Sequence, residues 1–374
     1  MDLIAVSQPV LAGNEIEYVM DCLKSTWISS KGKYIEEFER KFAEYIGTKY
    51  GLTTCNGTVA LHLSLLAYDV GPEDEIIVPT LTYVATVNAV RYCGAVPVFV
   101  DAETATWNID VAAIEAKITH RTKGIIVVHL YGHPVDMDPI MEVARKYKLF
   151  VIEDAAEAHG AEYKGRKVGS IGDIGVFSLY GNKVITSGEG GMIVTDSDVI
   201  AAKIRILKSQ GMDTQRRFWH SIIGYNYRMT NIQAAIGLAQ LEKIEWHIEQ
   251  HLKVASIYAQ CLAGNEKIVL PPQQPGTKNI YWLYTILLSP DLAVGRDTIM
   301  QWLAEKNIET RPVFYPIHSL PPYHKFAEGQ FYPVADLIAR SGINLPTHAK
   351  LTEDEVQYVS KHLIACVERL ENDI

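Results

Sequence analysis

Between about residue 48 and residue 196, short apolar runs take turns with helix-length segments. The runs fall at 75–79, 97–101, 123–128, 149–152, 175–178 and 191–195, and segments such as 59–68 and 138–147 lie between them. Runs of four to eight apolar residues without strict alternation read as strands buried on both faces, and their alternation with helices predicts a mostly parallel, helix-covered sheet. Beyond Asn231 the period changes. Ile232, Ala235, Ile236, Ala239, Leu241 and Ile244 stand near helical spacing and predict one long helix. The stretch Leu270-Pro-Pro-Gln-Gln-Pro-Gly276 predicts a loop, and a shorter strand-and-helix region follows from Tyr281 to the end. The expected architecture is α/β, with a large domain over 1–240 and a smaller C-terminal α/β domain over 241–374.

Composition narrows the class of protein. A chain of 374 residues exceeds one ordinary core, and 48% hydrophobic with 21% charged residues describes a globular protein. The net charge of −9 argues against nucleic acid as a partner, and it leaves any anionic ligand to local donors. No segment reads as a membrane span, and the first residues lack the basic region of a secretory leader. Five scattered cysteines without CxxC spacing read as reduced residues of a cytoplasmic protein.

The candidate chemistry lies where apolar runs end. Asp154 closes the run Lys148-Leu-Phe-Val-Ile-Glu-Asp154, and Lys183 follows the run Ile174-Gly-Val-Phe-Ser-Leu-Tyr180. Both therefore belong just past the carboxyl ends of buried strands, where open α/β sheets bind ligands. An amine that can form a Schiff base and a carboxylate that can keep a ring nitrogen protonated suit pyridoxal 5'-phosphate. The plain alternative is a surface lysine and a surface aspartate. Gly57 and Thr58 precede the helical run Val59-Ala-Leu-His-Leu-Ser-Leu-Leu66, so their amides could receive a phosphate or simply open a capped helix. Ser178 offers a second phosphate donor. Tyr83 could stack on a pyridine ring or fill the core. Glu157 could bond the phenolic oxygen of the cofactor or complement a helix dipole. The glycines of Ser187-Gly-Glu-Gly-Gly191 permit a tight turn, and His159, without a ligand-spaced partner, reads as a core residue and not a metal ligand. The polar and aromatic stretches 224–231 and 310–318 read as binding loops or packed turns.

Glu153-Asp-Ala-Ala-Glu-Ala-His-Gly160, Phe177-Ser178, Asn182-Lys183, Thr186-Ser-Gly-Glu-Gly-Gly191, Asn226-Tyr-Arg-Met229 and Arg311-Pro312 together resemble the DegT/DnrJ/EryC1/StrS sugar aminotransferases. These are pyridoxal phosphate enzymes of fold type I, and the resemblance runs over essentially the whole chain. It implies that Lys183 is the catalytic Schiff-base lysine and that Asp154 pairs with the pyridinium. It further implies that Gly57, Thr58 and Ser178 hold phosphate, that Tyr83 stacks on the ring, and that Asn226 reaches the phosphate from a partner subunit of a homodimer. Glu157 departs from the glutamine of many members. The implied substrates are L-glutamate and a nucleotide-linked keto-sugar. Over the stretches 25–32, 79–83, 129–134, 219–229 and 309–316 the chain most resembles members that act on a GDP-linked sugar, so the resemblance implies a GDP-linked substrate over UDP- or dTDP-linked ones. Trp27, Ser29, Lys31, Tyr83, Arg228, Arg311, Tyr315 and His318 are the expected substrate contacts. Lys183 argues against a related dehydratase, which carries histidine there, and the intact site argues against a sensor without turnover.

Overall fold

The structure, a computed structural model, describes residues 2–213, 215–292 and 295–373. Its strands are β1 (Tyr50–Thr54), β2 (Glu75–Pro79), β3 (Val96–Val100), β4 (Thr122–Val128), β5 (Phe150–Asp154), β6 (Glu162–Tyr163) and β7 (Arg166–Lys167). There follow β8 (Ile174–Ser178), β9 (Gly191–Thr195), β10 (Ile268–Val269), β11 (Thr277–Lys278), β12 (Tyr284–Leu288), β13 (Arg311–Pro312) and β14 (Gly342–Leu345). Seven of them form the main sheet in the order β1-β9-β8-β5-β4-β2-β3. β9 runs antiparallel to both of its neighbours, and the other pairs are parallel. The main sheet is thus the mostly parallel one that the apolar runs predict. β2, β5 and β9 are buried at every position, as strands covered by helices on both faces must be.

One face of the sheet packs with Phe38 and Phe42 of the helix Lys33–Ile46 and with Leu61, Leu63 and Leu65 of the helix Gly57–Ala67. On the other, Ile77, Val100, Ile125 and Val127 meet Met137 and Ile140 of the helix Met137–Tyr147. A second sheet, ordered β10-β12-β14-β13 and antiparallel throughout, forms its own core with Tyr258, Leu262, Leu303, Val359 and Leu363. The N-terminal segment joins this second core, since Ile4 bridges Ile308.

The single long helix expected beyond Asn231 is two, Asn231–Leu241 and Ile244–Leu262. The Lys243 amide turns back to the Gln240 carbonyl, and Glu242 is drawn off by Lys41, Asn14 and Tyr18. Apolar spacing continues across this break, so periodicity alone does not reveal it. The second of the two helices links the cores: Ile244 and Ile248 pack in the first, Val254 and Tyr258 in the second.

Candidate active site

The parallel strands end together, and their carboxyl ends carry the site. Asp154 is the last residue of β5 and is 5% exposed. Its Oδ2 accepts from Thr86 Oγ1 at 2.8 Å, and its Oδ1 from the Ala156 amide at 3.2 Å. Lys183 follows β8 in a turn closed by its own amide, which donates to the Tyr180 carbonyl at 3.0 Å. Its Nζ lies 3.7 Å from Glu157 Oε1 and 3.6 Å from the centre of the Trp282 ring. Trp282 is fixed in turn, its indole N–H donating to the Asn182 carbonyl at 2.7 Å. Asp154, Glu157 and Lys183 thus share one buried locale.

Burial sets the electrostatics. Desolvation raises the Asp154 carboxyl above its usual range, against the bonds from Thr86 and Ala156 and the nearby Lys183 charge. Glu157 is pushed up to about 7, again by burial, with Lys183 and the Tyr131 amide pulling the other way. The lysine is pushed down by burial, partly offset by the two acids. An amine displaced from its exposed pKa, beside a carboxyl that titrates near neutrality, can both attack a carbonyl and carry a proton.

A second part of the cradle is the start of the helix Gly57–Ala67. Asn56 caps it, its side chain accepting from the Val59 amide at 3.0 Å, so the amides of Gly57 and Thr58 come before the helix's own acceptors. Gly57 lies against Ser178 at the end of β8. A Cβ at Gly57 would stand 3.0 Å from Ser178 Cβ, so the lack of a side chain lets the helix end and the serine hydroxyl converge. Amides at a positive helix terminus suit a phosphate, and the Asp154 carboxylate and Lys183 amine suit a pyridine nitrogen and an aldehyde. The residues present fit pyridoxal phosphate.

The other expected residues fall in two groups. Tyr83, Phe314, Tyr131 and Trp282 form a run of rings with centroids 5.5, 5.4 and 6.1 Å apart, leading from an exposed tyrosine to the ring against Lys183. Tyr315, on this side, is exposed, while Arg311 sits 3.4 Å from Glu309. His318 is already engaged: Nδ1 meets Thr80 Oγ1 at 2.7 Å, Nε2 meets Asp336 at 3.1 Å, and the ring stacks on Tyr332. The second group gathers Trp27, Ser29 and Lys31 beside Arg228, whose Nε donates to Ser30 Oγ at 3.1 Å. Asn226 is exposed, and its neighbour Tyr227 accepts the Cys55 amide just before the helix cap.

Several residues of the site escaped the sequence. Trp282 and Tyr131 are the foremost. Tyr131 adopts φ 53°, an unfavourable backbone for a tyrosine, and thereby aims its amide at Glu157 Oε2 at 2.9 Å. The only local signal was the aromatic content of His129-Leu-Tyr-Gly-His-Pro134 and of the stretch after Asn279. Thr86, which donates to Asp154, carries no signal of its own in the sequence. His159 is buried against Phe177, and burial pushes its pKa down to about 3, leaving it neutral. Among the described residues no cluster of His, Cys, Asp and Glu could hold a metal ion, and no helix is long and apolar enough to cross a membrane.

Comparison with known proteins agrees with this geometry. The sequence model of the DegT/DnrJ/EryC1/StrS aminotransferase family matches residues 9–364. The chain belongs to this family. It is similar to the GDP-perosamine synthase of Caulobacter vibrioides, at 52% identity over 95% of this chain and 96% of that one. It is also similar to the GDP-perosamine synthase of Escherichia coli O157:H7, at 49% identity over 97% and 98%. Among solved structures, Spr1654 of Streptococcus pneumoniae in its PMP form superposes with a TM-score of 0.93 at 29% identity, covering 99% of both chains. Its PLP form gives 0.92. The cofactor of this chain is pyridoxal phosphate. As an aminotransferase, the chain takes an amino donor and a carbonyl acceptor.

Proposed function

We propose that this chain transfers the amino group of L-glutamate to C4 of GDP-4-keto-6-deoxymannose, giving GDP-perosamine for polysaccharide or O-antigen assembly. The observation that carries this reading is the identity of 52% and 49%, over nearly the whole of both chains, to two proteins named GDP-perosamine synthase. The site supports it with residues fit for each task. When bound, pyridoxal phosphate supplies an aldehyde for amines and an electron sink for the carbon that loses a proton.

The rest falls to the chain. Gly57, Thr58 and Ser178 hold the phosphate. Asp154, bonded by Thr86 and Ala156, holds a proton at the ring nitrogen. Tyr83 would pack its ring against the pyridine, and Glu157, whose carboxyl burial raises to about 7, would face the phenolic oxygen. Lys183 holds the cofactor between turnovers. Once free, its amine would act as the acid and base that carries the proton of the transfer. Trp27, Ser29, Lys31, Arg228, Arg311 and Tyr315 are assigned to the nucleotide sugar. His318 is assigned a supporting place there, because both of its ring nitrogens are already bonded. The exposed Asn226 is assigned to the phosphate of the partner's site, which makes the working unit a homodimer, and the compartment is assigned as the cytoplasm.

The test offers the holoenzyme glutamate with GDP-, UDP- and dTDP-linked 4-keto sugars and identifies products by mass spectrometry. GDP-4-keto-6-deoxymannose is expected to react about 10⁴-fold faster than the others, the scale reached when the wrong base leaves buried polar groups unpaired. Equal rates across the three nucleotides would remove the GDP assignment and leave the aminotransferase intact.

A further inference from the structure

Asn231 looks ordinary in sequence, the first residue of a helix whose N-cap is Thr230. In the structure it is 1% exposed, and every polar group it owns except its carbonyl serves a loop some two hundred positions earlier. Its backbone N–H donates to the Ser29 carbonyl at 2.6 Å. Nδ2 donates to the Trp27 carbonyl at 2.7 Å and contacts Cys22 Sγ at 3.3 Å, while Oδ1 accepts the Tyr34 amide at 3.2 Å. The loop that carries Trp27, Ser29 and Lys31 is therefore gripped from its start to the first turn of the helix behind it.

Gly32 lets this grip close. Its φ is 150°, and a Cβ there would stand 2.4 Å from the Asn231 side chain, well inside contact distance. The same strand of chain ties the loop a second time, through Arg228 Nε and Ser30 Oγ. Beside the loop opens a cleft of about 730 Å³, lined by Trp27, Lys31, Lys33 and Tyr34, with Asn231 also on its wall. A cleft of that volume falls within the range of small-ligand sites.

We propose that Asn231 is a positioning residue for the nucleotide sugar: it fixes the Trp27–Lys31 loop to the segment that bears Asn226 and Arg228, so that both present one recognition surface. The inference rests on the assignment of that loop to the nucleotide sugar. The chemistry demands asparagine, because the side chain must donate to one carbonyl and accept from one amide at the same length. Aspartate keeps the shape and the acceptor but sets an oxygen against the Trp27 carbonyl.

The experiment compares holoenzyme carrying Asn231→Asp, Gly32→Ala or Trp27→Ala. Two readouts are taken: KM for the nucleotide keto-sugar, and the rate at which glutamate alone bleaches the bound cofactor's visible band. Asn231→Asp is expected to raise the sugar KM about tenfold or more, the loss of one or two hydrogen bonds, with the glutamate half-reaction within about twofold of wild type. Gly32→Ala, which crowds the Asn231 side chain and also strains the loop's own backbone at φ 150°, is expected to show the same split. An unchanged sugar KM in either variant, while Trp27→Ala raises it, overturns the inference and keeps the loop assignment. No change in any of the three overturns the loop assignment itself. Equal losses in both half-reactions would show that Asn231 only holds the fold together, and would also overturn the proposal.

Discussion

Glu153 and Asp154 are neighbours on β5, both buried, both acids, and the protein treats them in opposite ways. Successive strand residues face opposite sides of the sheet. On its side Glu153 meets four donors: His129 Nε2 at 3.0 Å and the amides of Gly169, Ile171 and Gly172 at 2.8, 2.6 and 2.6 Å. His129 itself is oriented by the Val135 amide, which donates to Nδ1 and leaves the proton on Nε2. Burial alone would raise the Glu153 carboxyl, but His129 and the amides outweigh it and hold the group below its usual range. Asp154 has two donors from its own chain, and burial wins. Two carboxyls at the same depth differ because one is saturated by the fold and the other is left with capacity for a ligand. The saturated one fastens the loop 169–172 to the sheet. The other lies at the carboxyl edge with Lys183. Buried charge as such does not mark the site; incomplete compensation does.

The comparison breaks most readily at Asp154. On the reading above, Asp154→Asn removes the group that holds the ring-nitrogen proton while keeping the shape of the side chain. Turnover is expected to fall by about a hundredfold or more, the scale of losing one preorganised electrostatic partner. The unfolding midpoint of the cofactor-free protein should hold or rise, since a poorly compensated buried carboxylate is being neutralised. Steady-state kinetics and thermal melts of the same preparation check both. A large drop in stability would mean that Asp154 is as structurally committed as Glu153.

Glu153→Gln should give the reverse pattern. The amide keeps one acceptor oxygen but turns an N–H₂ toward donors that the second carboxylate oxygen had satisfied, His129 Nε2 and the backbone amides. The expected cost is about 3 kcal/mol of stability, as for leaving buried donors without their charged acceptor, with turnover per folded molecule close to wild type. The sign of the pH dependence follows from the lowered carboxyl pKa. Its stabilisation is present above the unfolded value of 4.5 and is lost as pH falls through the folded value. The stability gap between wild type and variant should therefore narrow in acid. Denaturant melts at neutral and acidic pH read this directly.

How much of this was visible beforehand depends on the range of the contacts. Asp154, Ser178 and Lys183 could be placed because each follows an apolar run that becomes a parallel strand, and strand ends in such a sheet meet by topology. Gly57 and Thr58 were legible for the same reason, at a strand-to-helix turn. Glu153 and Asp154 read alike in sequence, because the donors that separate them come from 129 and 169–172, and local patterning carries no trace of that pairing. Trp282 comes nearly a hundred positions after Lys183, and Asn231 about two hundred after the loop it holds. The break between the helices at Glu242 and Lys243 was hidden by apolar spacing that runs through it.

Glu157 sharpens the comparison with the smallest effect. It has fewer hydrogen-bond donors than either of the other two acids, one amide from Tyr131, with a lysine 3.7 Å away. Burial lifts it from 4.5 to about 7. Between those values the folded protein binds more protons than the unfolded chain, so this group's contribution falls as pH rises. Above about 7 the fold holds a carboxylate that it would rather keep protonated. Glu157→Gln is a neutral stand-in for the protonated acid, and its carbonyl can still accept from Tyr131. Relative to wild type, the cofactor-free variant is expected to gain a few degrees of Tm on going from about pH 5 to about pH 8, a shift of order 1 kcal/mol or more. A gap that stays flat over this range would show that Glu157 titrates like an exposed carboxyl. Asp154 would then be the only under-compensated acid of the three.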